Sequence, residues 1–126
     1  MSEIKVDTLT GKTTANDITV TAGATATMSL EQGLAKAWNI ANNSASLIDS
    51  LNTSSGTDNG TGDYSYNLTN NTTGGNYVVH ATIAQSNTGS THNDSAASSN
   101  YRVSYTDAAF NRADRVNNSS AHGDLA

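Results

Sequence analysis

The chain has no cysteine. That excludes disulfides, thiolate metal sites and a cysteine nucleophile, and leaves the redox compartment open. Large apolar anchors are few: one Trp, one Phe, five Tyr and scattered Leu, Ile and Val. No apolar run approaches the ~20 residues of a membrane-spanning helix, and the first residues lack the apolar core of a signal peptide. Charged residues are only 13% of the chain, and the six Lys and Arg are dispersed on a chain of net charge −5. Without a basic patch, nucleic-acid binding is not expected. The only glutamates are Glu3 and Glu31, so no Glu/Asp pair for glycoside hydrolysis can be placed in the main body.

Asn, Ser, Thr and Gly fill the space. The 126 residues suit one domain, and at 35% hydrophobic content its core is modest. Sharing a core between subunits is one remedy for such a composition.

The apolar residues that exist arrive in alternation. Tyr64, Tyr66 and Leu68 alternate with Ser65 and Asn67, a period of two that predicts a half-buried strand over 63–69. Tyr77, Val79, Ala81 and Ile83 predict a second, over 76–84, and Tyr101, Val103 and Tyr105 a third. Further strands are predicted at 35–41, with Lys36, Trp38 and Ile40 sharing one face, at 46–52, and weakly over 114–122. Asn42–Ser44 and Asp107–Asn111 read as turns, and 85–99 as a long, mobile polar loop. Ser29 and Gln32 fit a capping box for a short helical turn that Gly33 interrupts. Residues 1–28, with β-type runs at 4–9 and 18–21, read as an extended arm for attachment or subunit exchange. Residues 29–126 then form an antiparallel β-sandwich. Its core and subunit contacts are assigned to Trp38, Tyr64, Tyr66, Leu68, Tyr77, Val79, Ile83, Tyr101, Val103 and Tyr105.

Candidate chemistry is thin. Thr57-Asp-Asn-Gly-Thr-Gly-Asp-Tyr64 concentrates oxygen ligands and glycines. Its spacing fails the calcium-loop template, and a strand rather than a helix follows, so no phosphate cradle forms. It reads as a turn centred on Asn59-Gly60. Gly11-Lys12-Thr13 lacks the upstream glycine of a P-loop, since Val6 stands there; it too reads as a turn. His80, His92 and His122 share no metal-ligand spacing, although a three-fold axis could gather copies of His80 or His122. No nucleophile elbow is present, and neither a cofactor nor a resident metal is expected. A rival to a purely structural role is recognition of a host-surface glycan, with Asn87, His92, Asn93 and Asp94 of the 85–99 loop as the tools.

Four blocks, in order, resemble small structural proteins of tailed, often marine, bacteriophages: Met1–Ala15, Gly33-Leu-Ala-Lys-Ala-Trp38, Asp58-Asn-Gly-Thr-Gly-Asp-Tyr64 and Gly123-Asp-Leu-Ala126. The chain departs from that pattern at Asn39–Ser44, and at Val116–His122, which is more polar than the usual apolar strand. The resemblance implies a non-enzymatic, β-rich virion component, tail fibre or head-surface decoration, assembled in the host cytoplasm. It implies a homotrimer that meets other virion proteins through its N-terminal arm. It is also similar, more loosely, to jelly-roll or lectin-like sandwiches at fibre tips.

Overall fold

The protein's structure is a computed structural model that describes residues 4–11, 18–22, 25–84 and 89–123. The chain divides into two compact units, Met1–Leu34 and Ala35–Ala126. In the first, β1 (Thr19–Ala22) and β2 (Ala26–Ser29) pair antiparallel, with Thr19 opposite Ser29. One helical turn, α1 (Leu30–Gly33), follows Ser29. The run at 4–9 is not in a strand; a strand needs a ladder as well as an alternation. The turn read at Gly11–Thr13 runs outside the described residues. None of the residues of this unit whose exposure is described is buried, and Ile4, Val6, Leu9, Val20, Met28 and Leu34 are exposed.

The second unit contains β3 (Ala35–Ala41), β4 (Leu47–Leu51), β5 (Thr53–Gly60), β6 (Asp63–Leu68), β7 (Tyr77–Ile83), β8 (Thr91–Ala96), β9 (Asn100–Tyr105) and β10 (Asn117–Gly123). They form two four-stranded antiparallel sheets, β4-β3-β10-β7 and β5-β6-β9-β8, in a sandwich-like arrangement. The hairpins β3-β4, β5-β6 and β8-β9 each stay within one sheet. Between β4 and β5 the chain changes sheet at Asn52, whose φ is +53°. Asn tolerates this left-handed conformation better than most residues. Its side chain is tied on both ends, Nδ2 donating to the Lys36 carbonyl at 3.1 Å and Oδ1 accepting from the Asn70 N–H at 2.7 Å.

Three features differ from the sequence reading. The stretch 53–60 is a strand, β5, although it carries no large apolar residue; its ladder to β6 stands in for side-chain burial. The turn that follows is therefore Thr61-Gly62 rather than Asn59-Gly60. Much of the expected 85–99 loop is β8, an edge strand paired to β9. The weak strand read over 114–122 is present as β10, and it lies at the centre of its sheet, bonded to both β3 and β7.

The core explains that placement. β6 and β9 turn Tyr64, Tyr66, Leu68, Tyr101, Val103 and Tyr105 inward, all buried. Tyr66 lies opposite Tyr101 in the ladder, ring centroids 5.6 Å apart, and Tyr64 packs on Tyr105 at 5.8 Å. Two packed sheets sit about 10 Å apart, so one bulky face requires a slender one opposite. The other sheet supplies it: Ala37, Asn39 and Ala41 of β3, with Asn117, Ser119 and Ala121 of β10, are buried. The tyrosine hydroxyls arrive at that face and need partners there. Asn39 Nδ2 donates to Tyr101 Oη at 2.7 Å, Ser119 Oγ lies 2.8 Å from the same oxygen, and Tyr66 Oη donates to Asn117 Oδ1 at 2.7 Å. The polarity of β10 thus serves the core.

Candidate functional site

Val79 is buried, and Tyr77 and Ile83 pack partly buried against the core. Trp38 does not join them. The inward face of β3 is Ala37, Asn39 and Ala41, so Trp38 and Ile40 face outward. Alternation defines two faces of a strand but not which one is inside. Here the smaller face is inside because the tyrosines fill the space.

The recognition residues placed in the 85–99 loop are not gathered into a free surface. Asn87 lies outside the described residues. Asn93 donates its Nδ2 to the carbonyl of Val79, tying the edge strand β8 to β7 of the other sheet. Asp94 accepts from Ser104 Oγ at 3.2 Å and lies 3.8 Å from Arg112 Nη2. His92, opposite Ser104 on β8, is exposed.

Near this edge, Asp63 is the most densely bonded acid. Arg102 Nε donates to its Oδ1 at 2.7 Å, Arg102 Nη2 bonds Oδ2, and Arg112 Nη1 approaches Oδ2 at 2.9 Å. The Arg102 hydrogen bond, outweighing the effect of burial, holds its carboxyl below the usual Asp range. A carboxylate clamped in this way stays ionised and is poorly suited to proton transfer. Among the described residues no three His, Cys, Asp or Glu side chains gather as a metal site. Among the same residues no helix is long and apolar enough to cross a membrane.

The two outer sheet faces are unlike. That of β5-β6-β9-β8 carries Ser65, Asn67 and Arg102, with Ser65 opposite Arg102. That of β4-β3-β10-β7 carries Trp38, Ile40, Leu51 and Val78, of which Leu51 and Val78 are 49% and 58% exposed. A shallow groove of about 240 Å³ runs along its middle. Its origin is visible in the register. One row across the sheet reads Trp38, Ser120, His80; the next reads Ile40, Asn118, Thr82. The central strand β10 carries short polar side chains, and the flanking strands carry the larger ones. The groove therefore has a floor of hydroxyl and amide, with an indole on one side and an imidazole on the other. His80 also stands edge-on to His122, ring centroids 5.7 Å apart, and His122 Nε2 lies 3.3 Å from Ser120 Oγ.

The sequence pattern alone leaves His80 unconnected to Trp38. The signal was present: Asn118 and Ser120 share a phase, as do Trp38 and Ile40. Pairing β10 between β3 and β7 is what makes these phases neighbours. No family model, no characterised protein and no solved structure matches this chain.

Proposed function

We propose that the protein is a non-enzymatic structural component of a bacteriophage virion, a tail-fibre or head-surface protein that acts as a homotrimer. The observation that carries this reading is the N-terminal unit. It exposes Ile4, Val6, Leu9, Val20, Met28 and Leu34, and none of its residues whose exposure is described is buried. Exposed apolar surface of this kind is what an attachment arm contributes to a neighbouring chain. The resemblance of the four sequence blocks to phage structural proteins points the same way. No nucleic-acid or membrane partner is assigned, and the site of action is the particle.

Three hairpins kept within single sheets differ from the sheet-to-sheet crossings of a jelly roll. Glycan recognition through the 85–99 segment loses support, because Asn93 and Asp94 spend polar atoms internally.

Sedimentation equilibrium of the full chain tests the oligomer. The proposal predicts a species of three times the 13.0 kDa chain mass at micromolar concentration. A folded monomer under those conditions would overturn the trimer.

A further inference from the structure

We propose that the groove on the outer face of β4-β3-β10-β7 binds an uncharged sugar ring, stacked on Trp38 and hydrogen-bonded by Ser120, Asn118 and His80. This goes beyond the virion placement and does not rest on it: a groove blind to sugar would leave that placement standing.

The argument begins with the shape. β3 and β7 are two strand spacings apart, about 10 Å, with only Ser120 and Asn118 rising between them. The resulting notch accommodates one ring-sized molecule rather than a helix or a folded partner. Its lining then selects the chemistry. A pyranose presents an apolar C–H face and a rim of hydroxyls that both donate and accept. Trp38, half-buried at one wall, supplies an aromatic surface for the first. A serine hydroxyl, an asparagine amide and an imidazole supply donors and acceptors for the second. Among the described residues, Asn118 Oδ1 is a buried acceptor with no hydrogen-bond partner.

Charge narrows the class further. No Lys, Arg, Asp or Glu lines the groove, and the chain carries a net charge of −5. A sulfated or uronic-acid glycan would meet no cation there and would approach a protein of its own sign. A neutral hexose meets neither difficulty. A second copy of this chain is the competing occupant, since Leu51 and Val78 flank the groove. The polar floor argues against it, because hydroxyl and amide groups buried against an apolar partner surface without hydrogen bonds cost free energy.

Trp38 is the only tryptophan, so its fluorescence reports on the groove alone. The probes are neutral gluco-, galacto- and manno-oligosaccharides, with an oligogalacturonate as the anionic control, titrated into the full-length protein. The proposal predicts a saturable shift of Trp38 emission with at least one neutral sugar and none with the uronate. Asn118→Ala and His80→Ala should each weaken that binding about threefold to tenfold, the cost of one hydrogen bond. Trp38→Ala should abolish it, read by saturation transfer to the sugar protons, with circular dichroism verifying the fold. No response to any neutral sugar would overturn the proposal. So would an equal response to the uronate, or one unchanged in both Asn118→Ala and His80→Ala. Emission that follows protein concentration and ignores sugar would also overturn it, and would assign the groove to a subunit contact.

Discussion

Tyr66 of β6 donates its buried hydroxyl to Oδ1 of Asn117 on β10, 2.7 Å away, joining the two sheets through the middle of the core. Asn117 Nδ2 in turn donates to the Arg115 carbonyl at 3.0 Å, so both ends of the amide are satisfied. Tyr105, buried in the same cluster, has no partner for its hydroxyl among the described residues. The two tyrosines therefore answer differently to loss of one oxygen atom. Tyr66→Phe leaves a buried carbonyl oxygen unpaired and should cost about 1–3 kcal/mol. Tyr105→Phe removes an unpaired polar atom and should be neutral or stabilising. Urea denaturation of both variants checks the pair; equal destabilisation would show that the network is misassigned.

Alkaline pH should unfold the protein through these rings. Burial, the largest cause in each case, pushes Tyr64 and Tyr101 up to about 12 and raises Tyr66 and Tyr105 as well. An unfolded tyrosine ionises near 10. The folded state thus holds these protons more tightly than the unfolded state does. Stability is fully present below pH about 10 and falls as pH rises from there through about 12. Phenolate absorbance and circular dichroism, followed together, should change in one cooperative step. Ionisation of all five tyrosines near pH 10 with the fold intact would contradict the buried cluster.

At the acid end the sign reverses. Asp63 is held below its ordinary value of 3.8, chiefly by Arg102. Its contribution is present above about pH 4 and is lost as pH falls through its lowered folded value. Both arginine side chains are nearly half exposed, at 45% and 48%, so solvent screens the pair. Asp63→Asn should cost no more than about 1 kcal/mol at neutral pH. It should also flatten the acid limb of a stability–pH curve. A variant whose acid limb matched the parent's would show that another group controls it.

The turn between β5 and β6 separates two glycine effects. Gly60 has φ +126° with open space where a Cβ would stand. Gly62 has φ +64°, and a Cβ there would lie 2.5 Å from the Tyr105 carbonyl oxygen and 2.6 Å from the Ala113 nitrogen. Gly60→Ala should cost about 1–3 kcal/mol from the backbone conformation alone. Gly62→Ala should cost more, since two backbone segments must shift as well. Thermal melts of the two variants check the order; the reverse order would contradict the β5–β6 geometry.

How much of this was legible in the sequence depended on whether a strand carries its own large side chains. β6, β7 and β9 do, and their alternation marked both their extent and their inward faces. β5 and β8 do not: Thr53-Ser-Ser-Gly-Thr-Asp-Asn-Gly60 and Thr91-His-Asn-Asp-Ser-Ala96 are held by ladders that sequence periodicity cannot register. Trp38 lies outside the core for a related reason. The largest residue of a strand is ordinarily its inward one, but the space behind β3 is taken by tyrosines from the other sheet. The same fact explains why β10 reads as a weak strand. Its Asn117 and Ser119 are polar because they receive tyrosine hydroxyls, a requirement set by residues far away in the chain. The groove was invisible on similar grounds, since Trp38, Ser120 and His80 become neighbours only through the order of the sheet.

The proposal places this chain in a virus particle. Immunogold labelling of virus particles purified from cells that produce the protein checks that placement. The account predicts gold at one repeated position on the tail or the head surface. Unlabelled particles, with the protein remaining free in the lysate, would contradict it.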